Sequence, residues 1–116
     1  MSRNWIVRLT HQAALDVSDI IKWTAEQFDE LQADQYVETI SLALEALTNG
    51  PETPGVKNRN ELGPDICTLH IARHGRKASH FVVFRVSEAQ VLDILRILHD
   101  RMELSRHIPD SQFLPH

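Results

Sequence analysis

Val91-Leu-Asp-Ile-Leu-Arg-Ile-Leu-His99 is a nearly continuous apolar run that breaks at once into Asp100-Arg-Met-Glu-Leu-Ser-Arg-His-Ile-Pro109. How this run is read decides the fold. As a strand it is buried on both faces and delivers cationic side chains to one edge of a sheet, with Ser87-Glu-Ala-Gln90 as the preceding turn. As a helix, Val91, Leu92, Ile94, Leu95 and Leu98 fall on one stripe, and Ser87-Glu-Ala-Gln90 is a capping box. Leu and Arg lean towards helix, whereas Val91, Ile94 and Ile97 lean towards strand. The residues by themselves leave both readings open.

The segments upstream are plainer. His80-Phe-Val-Val-Phe-Arg-Val86 carries the strongest strand pattern in the chain, and Ile66-Cys-Thr-Leu-His-Ile71 alternates in the same way. Arg73-His-Gly-Arg-Lys77 between them reads as a basic turn around Gly75, so the two strands are expected to pair as a hairpin. The stretch 50–64 holds three of the five prolines and three of the four glycines, which predicts a loop without regular structure. Two amphipathic helices are predicted before it. The first follows Thr10, with Ala14, Val17, Ile21, Thr24 and Phe28 inward, Asp16, Asp19 and Lys22 outward, and an end near Asp29 to Leu31. The second has Tyr36, Ile40, Ala43, Leu44 and Leu47 on one stripe and closes at Asn49-Gly50-Pro51. Their short connection predicts an antiparallel helix hairpin. Trp5-Ile-Val-Arg-Leu9 reads as a first strand.

Composition bounds the function. A chain of 116 residues with 42% hydrophobic content has the size of one domain, 1–116, and enough apolar surface for a core without disulfide or metal. The lone Cys67 is expected to be a small buried residue in a reducing, cytoplasmic setting. No run is long enough to suggest a membrane span. A net charge of −4 gives no long-range attraction to nucleic acid. The acids gather in the helical half and the cations in the second half, which predicts an acidic helical layer beside a basic region. The seven histidines show no HxH or HExxH spacing, so neither a metal site nor a cofactor is expected. Phosphate-cradling glycine loops and a strained serine turn are absent as motifs.

The block Leu98-His99-Asp100-Arg101-Met102 followed by Arg106-His107 resembles the ParE branch of the RelE/ParE toxins of bacterial toxin-antitoxin pairs. Trp23, Tyr36, Ile40 and Leu44 in the helices and Phe84-Arg85 in the strand support the resemblance, which spans nearly the whole chain. It implies an α+β fold in which an N-terminal strand and an antiparallel helix hairpin pack on a small, mainly antiparallel sheet whose last strand is central. Val91 to His99 is then a strand. The resemblance also implies a cognate ParD-like antitoxin forming a hetero-oligomer with this chain, a part in plasmid stabilisation, and DNA gyrase as the target. The alternatives are RelE-like messenger RNA cleavage in the ribosome and an inactive antitoxin-binding module.

Cleavage of RNA needs a base, an acid and cations to hold the developing charge. The RelE-like pattern sets an Arg on or just after the last strand and a proton carrier six residues later, and Arg101 and His107 match that spacing. Phe81 or His80 stands where those nucleases carry an Arg, and the chain is acidic where many of them are basic. Arg73, Arg76, Lys77, Arg85, His99, Arg101 and Arg106 are the candidates for contacts with target or antitoxin. Each has a structural alternative: Arg101 and Arg106 as surface ion pairs, His99 and His107 as hydrogen-bonded boundary residues, and Arg73 to Lys77 as a solvated turn.

Overall fold

The computed structural model describes residues 4–102. Its strands are β1 (Ile6–Leu9), β2 (Lys57–Asn58), β3 (Ile66–His70), β4 (His80–Ser87) and β5 (Val91–His99), and its helices are α1 (His11–Gln27) and α2 (Glu30–Ala46). The sheet runs in the order β1-β5-β4-β3-β2. Among the described residues only the β1–β5 pair is parallel. The long apolar run is therefore an interior strand, as the resemblance implied.

Burial on both faces explains why that run reads as continuously apolar. Leu92, Ile94 and Ile97 join Val82, Phe84 and Leu69 in the core beneath the helices. Leu95 and Leu98 point the other way, into a smaller cluster with Leu62, Ile66 and Val83. Two consecutive buried residues, Ile94 and Leu95, coincide with a β-bulge: Val83 pairs with Arg96 and Phe84 with Ile94, which leaves Leu95 unpaired. The turn before the run, Glu88 to Gln90, places both Ala89 and Gln90 at φ near +60° with no glycine or asparagine to signal it.

α1 seats itself on that bulge. Thr10 caps the helix by accepting from Ala13 N at 3.2 Å, and its hydroxyl donates to Ile94 O at 2.8 Å. Six residues on, Asp16 accepts from Ile97 N at 2.9 Å. The inward face is consequently Ala13, Asp16, Val17, Ile20 and Thr24. This corrects three expectations: Asp16 is buried, because a backbone N–H and Arg96 lie beneath it, and Ala14 and Phe28 are exposed. α1 also stops earlier than expected, since Asp29 turns outward to cap α2 by accepting from Gln32 N at 2.7 Å. α2 matches its predicted stripe, with Ile40, Ala43 and Leu47 buried and Tyr36 and Leu44 packed on the core.

The loop 50–64 contains more order than predicted. Lys57 and Asn58 pair with Thr68 and Cys67 as a two-residue edge strand, and Asn60–Leu62 form one 3-10 turn. Prolines and glycines on either side leave room for nothing longer. Gly50 is required where it stands: its φ is +89°, and a Cβ there would lie 2.5 Å from the indole nitrogen of Trp5. Cys67 is buried as expected, and burial raises its thiol pKa.

Leu95→Ala is expected to lower stability by about 2 kcal/mol, the lower end for buried leucines, because the cluster beneath it is small and can partly collapse. A drop in the urea midpoint at unchanged slope would show this. Unchanged stability would remove Leu95 from the core.

Candidate functional site

The segment from Ile71 to His80 joins β3 to β4 and lies along α2. Arg76 fastens it there: its Nε donates to Thr39 Oγ1 at 2.9 Å, one Nη reaches Gln35 O at 3.4 Å, and the other pairs with Glu38 at 3.1 Å. One turn further, the Tyr36 hydroxyl accepts from Ser79 N at 3.1 Å and donates to His80 Nδ1. Arg73 reaches Pro54 O at 3.3 Å, and Lys77 is exposed beside Tyr36. The basic turn is thus a strap over the helix, tied down at Arg76, held to the Pro54 carbonyl by Arg73, and open at His74 and Lys77.

Between the strap and the C-terminal half of α2 runs a groove of about 340 Å³. Leu42, Ala43, Ala46 and Ile71 give it apolar walls, and Arg73 and Arg76 give it a cationic rim that also carries His74 and Glu45. The last turn of α2 contains no basic residue, and its Ala46 carbonyl accepts instead from Asn49 Nδ2 and Thr53 Oγ1, each at 3.1 Å.

At the neighbouring corner, three histidines collect. His80 and His99 are cross-strand partners with ring centroids 5.2 Å apart. His70 donates from Nε2 to Asp100 at 3.0 Å. In each ring Nδ1 accepts: from Ala72 N in His70 and from Arg101 N in His99, at 3.0 and 3.1 Å, and from the Tyr36 hydroxyl in His80. His99 Nδ1 also lies 3.5 Å from an Asp100 carboxylate oxygen. Burial, with the neighbouring His99 and against the pull of Asp100, lowers the His80 pKa to about 4. The hydrogen bond from His70 lowers that of Asp100.

Of the residues singled out in the sequence, Arg73, Arg76, Lys77, His99 and Arg101 come to the same end of the sheet. Arg85 does not. It sits five residues along β4 from His80, roughly 17 Å away, opposite Asp93, which itself accepts from Arg8 at 2.8 Å and Ser87 at 2.6 Å. Arg101 is exposed, while Arg106 and His107 lie outside the described residues, so the Arg101–His107 pairing is outside them too. Sequence reading missed the Tyr36–His80 bond and the Asp16–Arg96 pair. The position of Tyr36 on the inward stripe was the available signal for the first, and none existed for the second.

Among the described residues no three His, Cys, Asp or Glu side chains are placed to hold a metal ion, and no helix is long and apolar enough to cross a membrane.

Comparison with known proteins follows from this geometry. The fold matches a toxin-antitoxin structure described as the chromosomal ParDE system from P. aeruginosa, with TM-score 0.66 and 22% identity over 82% of this chain and 95% of that one. It also matches the RelBE2 toxin-antitoxin complex from Mycobacterium tuberculosis, with TM-score 0.54 and 19% identity over 83% of this chain and 98% of that one. At such identities these matches establish the α+β fold alone. No curated protein matches the chain. The family model for the ParE toxin of type II toxin-antitoxin systems matches residues 7–104, from β1 past the end of β5. The chain therefore belongs to the ParE toxin family of type II toxin-antitoxin systems.

Proposed function

We propose that this chain is a cytoplasmic toxin that inhibits DNA gyrase and is held inactive by a ParD-like antitoxin in a hetero-oligomer. The observation that carries the antitoxin part is the groove beside α2. Apolar walls at Leu42, Ala43, Ala46 and Ile71 with cations at Arg73 and Arg76 suit the apolar face and acidic flanks of an incoming amphipathic helix. The solved relatives are themselves described as toxin-antitoxin complexes, which supports such a partner.

The arrangement of the described histidines speaks against His70, His80 or His99 as the base of RNA cleavage, while His107, the proton carrier of the nuclease reading, lies outside the described residues. General-base catalysis needs a lone pair free to take a proton, and in His70, His80 and His99 that lone pair is already engaged. A net charge of −4 points the same way.

Expression of the chain alone, in cells with ordinary gyrase or with gyrase resistant to such poisons, tests this reading. DNA-damage signalling with intact messenger RNA is expected, relieved by the resistant gyrase, and His107→Ala should leave the growth arrest in place. Rapid message loss without damage signalling, abolished by His107→Ala, would overturn the gyrase reading in favour of a ribosome-dependent nuclease using Arg101 and His107. Absence of any arrest would leave only antitoxin binding.

A further inference from the structure

The helix hairpin turns over with only Phe28 and Asp29 between α1 and α2, and its tip is exposed and aromatic. Trp23, Phe28 and Leu31 are 56%, 64% and 65% exposed. The Trp23 and Phe28 rings meet edge to face with centroids 6.1 Å apart. They form one wall of a cleft of about 380 Å³, with Tyr36, Lys77 and His80 opposite. This cleft reaches α2 at Gln32 and Tyr36, whereas the groove described above begins at Thr39. The two sites occupy different halves of the helix.

Their charge differs as well. Around the tip stand Glu26, Asp29, Glu30 and Asp34, all exposed, against Lys22 alone within residues 22–34. Asp29 and Glu30 also serve the N-terminus of α2, yet that role leaves their outer oxygens in water. Lys77 on the far wall is the cleft's one permanent cation. An aromatic face bordered by carboxylates attracts a cationic side chain through both the ring quadrupole and the charges. The same carboxylates repel phosphate, which disfavours nucleic acid and anionic membrane as occupants and leaves a basic protein segment.

We propose that this tip is the surface with which the toxin engages its target, seating a Lys- or Arg-bearing loop with its cationic group over Trp23. The proposal rests on the gyrase reading, because an enzyme that grips DNA presents cations on the surfaces that hold it. Binding there is electrostatically steered and weakens as salt rises.

The test uses two variants of the full chain, Trp23→Ser/Phe28→Ser and Glu26→Lys/Glu30→Lys, with purified gyrase in a supercoiling assay and with growth arrest in cells. All four positions are exposed, so the unfolding midpoint is expected to hold in at least one variant. Each folded variant should need at least tenfold more protein for the same inhibition, and the charge-reversed variant should lose the salt dependence of the wild type. Inhibition equal to wild type in a folded variant would overturn the proposal. If the wild type arrests growth without inhibiting gyrase, the gyrase reading fails on its own. Growth arrest by the aromatic double variant would then overturn the tip as the target-facing surface, and its loss would uphold it. A wild type that does neither would overturn both.

Discussion

Asp16→Ala is expected to destabilise the protein by about 3 to 5 kcal/mol, the range seen when one partner of a buried ion pair is removed. Asp16 is 8% exposed and its carboxylate accepts from Arg96 Nε at 2.8 Å and Nη2 at 3.1 Å, from Ile97 N at 2.9 Å and from Gln12 Nε2 at 3.2 Å. Alanine leaves a half-buried guanidinium without its anion and a buried N–H of the bulge without an acceptor. The bulge is where α1 docks, so the loss should also loosen the helix against the sheet. Denaturant unfolding would show the midpoint falling with little change in slope. Adding Arg96→Met to Asp16→Ala should restore part of the loss, because it removes the stranded charge while keeping the apolar stem. A loss below about 1 kcal/mol in the single variant would mean that water replaces the carboxylate and the pair does not hold the layers together.

Acidification from pH 7 to pH 4 is expected to remove about 1 to 2 kcal/mol through His80, since each unit of pKa difference corresponds to roughly 1.4 kcal/mol and solvent at the partly buried ring screens part of it. The folded pKa is about 4, below the usual 6.5. The unfolded chain therefore takes up a proton that the folded chain refuses throughout that interval. Stability is complete above about pH 6.5, falls as the pH drops towards 4, and loses nothing further from this group below that. The groups facing His80 are Tyr36 from α2, His99 and Asp100 at the end of β5, and His70 from β3, with Asp16 more remote in effect. Asp93 and Asp100, whose pKa values are lowered by Arg8 and His70, release their contributions at more acid pH. His80→Gln keeps an acceptor for the Tyr36 hydroxyl and removes the titration. Unfolding midpoints measured at pH 7, 5.5 and 4.5 should converge between wild type and variant as the pH falls. Parallel curves would show that the histidine is hydrated and titrates normally.

The same corner explains why the proposed nuclease residues were legible as a cluster but not as a mechanism. Spacing in the sequence could bring Arg101 near His99, with His99 ending the last strand and Arg101 just beyond it. It could not show that His99 Nδ1 is occupied by the backbone N–H of Arg101, or that His80 is closed by Tyr36 from another layer. Proton-transfer capacity depends on which lone pair is free, and that is a property of the packed neighbours.

Local pattern was sufficient for both helices, for the β3–β4 hairpin and for the turn at Gly75, because amphipathic period and turn chemistry act over a few residues. The resemblance in Leu98 to His107 resolved the identity of β5, which periodicity left even. The turn at Ser87 to Gln90 followed from that strand, but its form was not legible, because Ala89 and Gln90 adopt left-handed backbone without the glycine or asparagine that usually signals it. The face of α1 was misread by about one residue for a related reason. An aspartate reads as solvent-facing unless its partner is known, and the partners of Asp16 lie 80 and 81 residues away on β5.

The sequence by itself determined the composition of the layers, the acidic character of the helices and the family, since these follow from residue identity and short-range order. Tertiary structure alone decided the inward turn of Asp16, the strapping of the basic segment to α2 by Arg76, and the division of the hairpin into a cationic groove and an acidic aromatic tip. Each of these depends on charges and hydrogen-bonding groups meeting from distant parts of the chain, where burial sets whether a pair is compulsory and exposure sets whether a surface is free to bind.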